Sequence, residues 1–311
     1  MRARLPISLI GAMALVVSAC GVESTALTTM PPADFELAAA SAPTTAAVPQ
    51  LPAIPERQSL FETWDPTAFS NPTVIDNEWM PLTPGTKLVY EGVTNEDEEV
   101  HHQIITIVTP FTKVIDGVET LVLWDRDYSD GNLAETELAF FVQDDNGAVW
   151  RMGEHPEEYE DGVLVDAPTW LAGIAGSYAG IAMHANPTLD TPSYSQGFAP
   201  SVEFIDRALV AQLSQETCVP HDCYEDVLVV EEFNVEEPGA FQLKYFAKGV
   251  GNVRVDWAGS DETREELELV SVERLSAAEM AEVEQAALEL EAHAYEISPD
   301  VYGRTPPLVI P

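Results

Sequence analysis

The stretch that decides the fold is GVETLVLWDRDYSDGNLAETELAFFVQDDNGAVWRMGE, residues 117 to 154. Two dipeptides in it, Asp130-Gly131 and Asn146-Gly147, are typical of two-residue turns whose backbone needs positive φ. Residues with high β propensity flank both dipeptides. The stretch therefore predicts three antiparallel strands joined in a meander.

Further strands are predicted on both sides of this meander. TKLVYEGVT and EVHHQIITIVT (99–109) precede it, and the second leads through Lys113 to an Asp116-Gly117 turn. Regularly spaced β-prone segments follow it at 224–233, 240–247, 250–257 and 265–273. We therefore predict a mainly β fold built as an antiparallel, curved, meander-type sheet. Residues 160–200, rich in Gly, Ala and Pro, are predicted to form a long irregular excursion.

An irregular Pro-rich lead-in is predicted before the sheet. Residues 61–92 carry prolines at 66, 72, 81 and 84, which prevent a long helix. The aromatic residues between them, Trp64, Phe69 and Trp79, are expected to dock on the core.

One C-terminal α-helix is predicted to pack on the sheet. Ser276 and Glu279 fit a capping box, and an apolar stripe follows at Met280, Val283, Ala287, Leu290, Ala294 and Ile297. Between 276 and 297 there are six Glu and neither Lys nor Arg, so the helix must gain its stability by docking the stripe. Docking on a partner helix is the alternative.

The N-terminal residues have the layout of an export signal. MRARLPISLIGAMALVVSA has two arginines, an apolar run and small residues before Cys20. The stretch LVVSAC also resembles a bacterial lipobox, whose cysteine receives a lipid and becomes the first residue of the mature protein. Lipid on Cys20 would anchor the protein without a spanning helix. The alternative is an ordinary secreted protein.

The composition of the chain indicates how the segments after the export signal are organised. Residues 21–60 contain nine Ala, six Pro and five Thr, which is typical of a disordered tether. The predicted organisation is a lipoprotein signal peptide at 1–19, a tether at 20–60, a β domain at 61–275, a helix at 276–297 and an extended tail at 298–311. Without the signal, 12 basic residues face 53 acids, a formal charge of −41. Such a charge disfavours nucleic acid and favours cations or basic partners, although adaptation to a salty habitat explains it equally well.

The segment ETCVPHDCYED (216–226) places Cys218, His221 and Cys223 close together. An exported chain meets an oxidising compartment, so we predict a Cys218–Cys223 disulfide, with Cys20 left for the lipid. A metal site would need two more ligands than this tight loop offers. The sequence leaves open whether His221, at the tip of the loop, does more than cap a turn.

Asp125, Asp127 and Asp130 resemble a calcium loop. Gly131 and Glu135 fall one position away from where an EF-hand type loop needs them, and the hairpin explains the same residues. Ca²⁺ at this turn is kept as the alternative, and no other cofactor is predicted. His101 and His102 do not form a metal pair, because neighbouring strand residues point to opposite faces.

No catalytic residue is predicted. HExxH, a phosphate-binding Gly-rich loop and a serine-hydrolase elbow are all missing, and Ser177 lacks the glycine two positions before it. A carboxylate pair for hydrolysis would be drawn from the acidic residues Asp144, Asp145, Glu154, Glu157 and Glu158.

Three segments carry a resemblance to a family. FSNPTVIDNEWMPLTPGTKLVYEG, VQDDNGAVWRMGE and YFAKGVGNVRVDW, with their Pro-Leu-x-Pro-Gly and Gly-Val-Gly-x-Val elements, resemble uncharacterised bacterial secreted or lipid-anchored envelope proteins of β-rich character. The resemblance covers most of 61–273 and implies a β-rich fold and an extracytoplasmic location. It brings no activity and no site residue.

The predicted function is non-enzymatic binding in the cell envelope, on the outer side of the cytoplasmic membrane. A cleft under the 160–200 segment would take a small apolar molecule or a protein partner. The alternatives are a secreted hydrolase using a carboxylate pair and a structural interaction protein acting through the C-terminal helix.

Overall fold

The computed structural model describes residues 60–95 and 99–310. The predictions about the signal peptide, Cys20 and most of the tether therefore lie outside the described residues. In the part that is described, no helix combines the length and the apolar character needed to cross a membrane.

The regular structure of the described residues consists of fifteen strands, one α-helix and three short 3-10 helices, at Pro66–Ala68, Pro200–Val202 and Tyr302–Arg304. The first eight strands are β1 (Thr86–Thr94), β2 (Val100–Ile115), β3 (Val118–Ser129), β4 (Asn132–Gln143), β5 (Val149–Glu160), β6 (Val163–Asp166), β7 (Trp170–Leu171) and β8 (Tyr178–Met183). The others are β9 (Tyr194–Ser195), β10 (Gly197–Phe198), β11 (Arg207–Cys218), β12 (Cys223–Phe233), β13 (Ala240–Ala247), β14 (Gly251–Gly259) and β15 (Glu266–Arg274), and α1 (Ala277–Ile297) follows. The predicted mainly β, antiparallel fold with one C-terminal helix is confirmed.

All the strands belong to one curved antiparallel sheet. Its order is β10-β8-β5-β4-β3-β2-β1-β15-β14-β13-β12-β11-β9, with β6 and β7 pairing with β5. The two outermost strands, β9 and β10, are neighbours in sequence and are separated by Gln196 alone. A five-residue segment, 194–198, therefore brings the two ends of the sheet together, and the sheet encloses an inner face.

Two of the three predicted two-residue turns form as expected. Asp116 and Gly117 both have positive φ, as do Asp130 and Gly131, so each pair makes the turn of a tight hairpin. The prediction for Asn146-Gly147 is wrong, because Gly147 has positive φ and Asn146 does not. That loop runs over five residues and is closed by a hydrogen bond from the Asp144 N–H to the Ala148 carbonyl.

The prediction of an irregular excursion at 160–200 is also wrong. Five short strands, β6 to β10, lie in it and pair with β5, β8 or β11. Strand β11 was missed as well, because ALVAQLSQET does not alternate in residue type even though its burial does. The β5–β6 hairpin has a local signal, the Asp161-Gly162 turn, in which both residues have positive φ. The other strands of 160–200 pair with more distant segments, which local propensity does not report.

Helix α1 begins as predicted. The Ser276 hydroxyl accepts the Glu279 N–H while the Glu279 carboxylate accepts the Ser276 N–H, which is a complete capping box. Val283, Ala287, Leu290 and Ala294 of the predicted stripe are buried in the main hydrophobic core. The lead-in docks on the same core, to which Trp79 contributes a buried side chain and Trp64 and Phe69 partly buried ones.

The two faces of β3 to β5 carry different neighbours. Asp125 faces Glu137 across the β3–β4 pair, on the inner face. The next residues along each strand point the opposite way. On that outer face, His293 of α1 contacts Glu157 of β5. The helix therefore covers the outer face, and the inner face belongs to the enclosed side of the sheet.

Candidate functional site

The enclosed side of the sheet carries a group of buried acids, here called the carboxyl cluster. Asp125 lies opposite Glu137, and Asp127 lies opposite Glu135, on the paired strands β3 and β4. Directly opposite residues have Cβ atoms only about 4.5–5.5 Å apart. The cluster consists of Asp125, Asp127, Glu135, Glu137, Glu154 and Glu265, each at most 5 % exposed.

The members come from opposite walls of the sheet. Glu265 precedes β15, which lies three places from β3 in the sheet order, yet the charge of Asp127 contributes to raising the pKa of Glu265. In the same way Asp206, which precedes β11, raises the pKa of Glu154 on β5. Because charges on strands so far apart in the sheet order change each other's pKa values, the acids must face a common interior.

Burial shifts these acids strongly towards their neutral forms. Desolvation is the largest cause, and it raises the pKa of Asp125 to about 8, with the charge of Glu137 adding to it. The pKa of Glu154 rises to about 8 for the same two reasons. Burial also raises the pKa of Glu265 to about 8 and lifts those of Glu135 and Asp127. At neutral pH the interior therefore holds carboxylic acids that keep much of their protons.

Three basic side chains share this interior. The Arg151 guanidinium lies 3.3 Å from a Glu154 oxygen, and its charge lowers the pKa of Glu154 against the effect of burial. His102 Nδ1 lies 3.1 Å from Asp127 Oδ1. Lys244 Nζ lies 2.6 Å from an oxygen of Glu232. Each base thus has an acid beside it, and the acids outnumber the bases.

Several buried acceptor atoms lack a protein donor. No described residue gives either oxygen of Asp125 a well-formed hydrogen bond, although the nearby Thr106 hydroxyl lowers the Asp125 pKa. Within the same described ranges, Glu265 Oε1 and Gln196 Oε1 also have no donor. Buried polar atoms are nearly always hydrogen-bonded, to protein or to ordered water. These oxygens are therefore positions where a ligand or a water molecule would donate.

A disulfide-closed hairpin covers part of the inner face. Cys218 and Cys223 form the predicted disulfide between β11 and β12. Ser214 and Asp226 have positive φ on the two strands, and the β11–β12 register shifts three times along the hairpin. Beyond these bends Val219 packs into the apolar cluster of Leu88, Tyr90, Ile104, Val253, Val255, Leu267 and Leu269. The disulfide therefore holds the tip of the β11–β12 hairpin over the interior.

His221 has a local structural role at that tip. Its N–H donates to the Leu269 carbonyl of β15, which holds the tip across the sheet. Its ring Nδ1 lies 2.7 Å from the Tyr224 hydroxyl. Within the described chain, no group of three His, Cys, Asp or Glu side chains has an arrangement suited to a metal ion.

The three acids of the suggested calcium loop are not held together at the turn. Asp125 and Asp127 are buried on the inner face, and Asp127 is engaged by His102. Asp130 lies at the turn itself, where its side chain accepts the His101 N–H. His102 is buried and His101 is exposed, as expected for neighbours on one strand.

The five acids proposed for hydrolysis are dispersed. Asp144 accepts hydrogen bonds from its own loop and from the Trp150 indole, and Asp145 accepts from Ser70 of the lead-in. Glu157 lies on the outer face, whereas Glu154 and Glu158 lie on the inner face. The structure therefore does not assemble these residues into one open carboxylate pair.

Glu157 belongs to a second buried network, on the outer face. It accepts from Tyr159 at 2.5 Å and lies 2.6 Å from His293 Nδ1 and 3.3 Å from His155 Nε2. Burial raises its pKa, but these hydrogen bonds outweigh burial, so the Glu157 pKa is lowered. The other ring nitrogen of His155 contacts Thr169, which contacts Ser298 at the end of α1. This network joins α1 to β5.

Sequence reasoning missed half of the carboxyl cluster. Glu137 and Glu265 were not considered, and Glu135 was considered only as a poorly placed residue of a calcium loop, because acids in an acidic chain look like ordinary surface residues. One signal was present: DRD on β3 and ETE on β4 put like charges directly opposite each other once the hairpin is drawn. Such pairing is unfavourable on a sheet and indicates a special environment.

The chain matches no protein-family model and no curated protein. Its fold is similar to that of a solved protein from Bacteroides fragilis NCTC 9343, inferred to be exported and given a YmcC-like fold, at 10 % identity and a TM-score of 0.38. It is also similar to an inferred lipoprotein from Parabacteroides distasonis ATCC 8503, at 9 % identity and a TM-score of 0.34. Each match covers 64 % of this chain and 100 % of the other. Neither likeness is strong enough to support a functional argument.

Proposed function

We propose that this chain is a non-enzymatic binding protein of the cell envelope, lipid-anchored through Cys20, that holds a small polar ligand within its curved sheet. The observation that carries the proposal is the carboxyl cluster with its unpartnered acceptor oxygens on Asp125 and Glu265. Most buried polar atoms are bonded to protein or to ordered water, so oxygens of two buried acids without a protein donor are a candidate for ligand contact. The leader and the lipobox-like LVVSAC support the location.

A polar ligand replaces the apolar one expected from the sequence. An apolar molecule beside Asp125 would leave both carboxylate oxygens without donors, which carries a free-energy penalty of about 1–3 kcal/mol per group. The interaction through α1 also loses its basis, because the apolar stripe of the helix is already buried against the sheet. Burial of the acids argues against an open hydrolytic cleft of the kind that a polymer substrate needs.

Native mass spectrometry of the mature chain, purified in a non-ionic detergent, tests the binding function. We expect a small molecule to remain bound at stoichiometric occupancy and to leave on acid denaturation. A chain that carries nothing when isolated from its own envelope, and that remains unliganded when mixed with an extract of envelope small molecules, would overturn the proposal. Intact mass of the native chain also tests the lipid on Cys20.

A further inference from the structure

The polar atoms of the interior indicate a narrower class of ligand than polar molecules in general. The unpartnered atoms of Asp125, Glu265 and Gln196 are all oxygens, which act as acceptors once the two carboxyls are ionised, and their side chains are 5 %, 2 % and 3 % exposed. An acceptor is completed by a donor. Gln196 is not an acid, so this signal does not depend on the acidic cluster alone. The missing partner therefore carries several N–H or O–H groups.

The charges around these oxygens indicate whether the donor is cationic or neutral. Arg151, Lys244 and His102 are the bases beside the cluster, and they lie against Glu154, Glu232 and Asp127. The charge of Arg151 also lowers the pKa of Asp125, and that of Lys244 lowers the pKa of Glu265. The six acids of the cluster, joined by Glu232 beside Lys244, exceed these bases in number. A cation in this field is stabilised by several carboxylates at short range and low dielectric. A neutral donor gains the hydrogen bonds without that stabilisation.

The chain itself shows which cationic group the interior accepts. The Arg151 guanidinium lies beside Glu154 and over the rings of Phe141 and Phe204, at 5.7 Å and 5.3 Å from their centres. It is 2 % exposed. A planar cation with several N–H groups is thus already held by a carboxylate and aromatic faces in this interior.

We propose that the carboxyl cluster binds an organic cation, a guanidinium or ammonium group whose N–H donors reach Asp125, while the charges of the other cluster acids, Glu265 among them, stabilise it. The inference rests on the binding function proposed above and names the ligand class. An organic cation is favoured over a metal ion, because the described side chains offer no grouping suited to metal coordination. Glu137, directly opposite Asp125, lies within reach of the same cation.

Binding of this kind is coupled to proton release. Because burial raises the pKa of Asp125 and Glu265 to about 8, these acids keep protons when the site is empty at neutral pH. A bound cation favours their ionised forms, so each ionisation sends one proton to solvent. Affinity then increases as pH rises towards 8, by up to about tenfold per pH unit for each proton released.

Calorimetric titration of the mature chain in detergent tests the ligand class. The probes are agmatine, cadaverine, their neutral counterpart 1,5-pentanediol, and CaCl₂, near pH 8 and at about 0.15 M salt to screen the anionic surface. We expect agmatine or cadaverine to bind with protons released, seen as a heat that depends on the buffer. Asp125→Asn weakens this binding by about tenfold or more, as loss of a charged hydrogen-bond partner does.

Matched variants separate the site from the surface. Glu119→Gln removes an exposed acid from the same strand, β3, and leaves affinity unchanged. Glu265→Gln tests the opposite wall if Asp125→Asn fails to fold, and it weakens binding in the same direction. Cation binding that both inner variants leave intact is adsorption to the acidic surface and overturns the inference.

The remaining outcomes also decide between the two proposals. Pentanediol that binds as well as cadaverine overturns the cationic class and leaves the binding function standing. Calcium that binds with sensitivity to Asp125→Asn overturns the organic class in favour of a metal. No binding by any probe overturns the inference, while native mass spectrometry judges the binding function separately.

Discussion

The two faces of strands β3 to β5 both bury charged side chains, but they differ in how completely partners are supplied. On the outer face, Lys113 Nζ donates to Glu291, to the Tyr295 hydroxyl and to the Pro306 carbonyl, and lies 4.1 Å from the Tyr302 ring centre. On the inner face, Asp125 has no well-formed hydrogen bond from the described residues. Lys113 therefore has the contacts of a structural lock, whereas Asp125 has two oxygens that a ligand could bind.

The outer lock also ties down the C-terminal tail. Glu291 accepts a second hydrogen bond, from the Leu308 N–H, at 2.8 Å. Val309 pairs with Thr112 of β2. Lys113, α1 and the C-terminal tail therefore hold one another in place. All of these contacts join parts of the protein, so their role is structural.

The largest expected effect comes from breaking this lock. Glu291→Gln leaves Lys113 charged and 0 % exposed without its carboxylate, and removal of one partner from a buried pair lowers the free energy of unfolding by about 3–5 kcal/mol. Urea unfolding measures it. The double variant Lys113→Met, Glu291→Leu recovers most of the loss, because it removes both charges. A single variant as stable as the parent would show that the pair is no lock.

The inner face should instead respond to pH. Carboxyls whose pKa is about 8 in the folded chain and near 4 in the unfolded chain contribute most stability at low pH, and lose it as pH rises through 8. One such group lowers the free energy of unfolding by about 1.4 kcal/mol per pH unit in this window. Urea unfolding at several values from pH 5 to pH 8.5, which cover most of this window, measures the slope.

Asp125→Asn isolates the source of this slope. The amide does not ionise, so the variant has a shallower decline with pH than the parent, whereas the exposed Glu119→Gln keeps the parent slope. A parent chain whose stability rises steadily from pH 5 to pH 8.5 would contradict the buried, protonated state of the cluster.

Removal of the disulfide is expected to have a smaller effect, which acts both on the free energy of unfolding and on its pH dependence. Replacing Cys218 and Cys223 by serine opens a short loop, and the chain-entropy account gives a loss of about 2 kcal/mol. The hairpin tip also covers the interior, so its loosening admits water and flattens the pH dependence. Thermal unfolding at two pH values separates these two effects. An unchanged pH slope would mean that the tip does not cover the carboxyl cluster.

The smallest effect is expected at the start of α1. Ser276→Ala removes the capping hydroxyl and lowers the free energy of unfolding by about 1 kcal/mol. Since the cap lies on the outer side, the pH slope of unfolding stays that of the parent. Ser276→Thr is the matched control and retains the cap. A changed slope in Ser276→Ala would break the separation between the two faces.

Local chemistry made much of the fold predictable. The Asp116-Gly117 and Asp130-Gly131 turns, the capped helix and the disulfide each depend on residues close together in sequence. Strand β6 had the same kind of signal in Asp161-Gly162, whereas β7 to β10 did not, because β8, for example, pairs with β5 and β10 rather than with the next segment along the chain. Tertiary pairing overrides weak local preference there.

The candidate site was hidden for a different reason. Acids at every second position, as in DRD and ETE, are typical of a strand with one solvated face. Here both faces are buried, since α1 and the lead-in cover one and closure of the sheet covers the other. Sequence shows that Asp125 and Asp127 share a face, but not that this face is enclosed.

The pairing of β1 with β15 has a consequence for the order of folding. Thr86 pairs with Arg274, whereas the hairpins on either side join strands that follow one another directly. Pairings between distant segments form more slowly than local ones. We expect the meanders β2–β5 and β11–β15 to form as separate curved halves. The seam between β1 and β15 then joins them once the chain is nearly complete, and the acids lose their water at that late step.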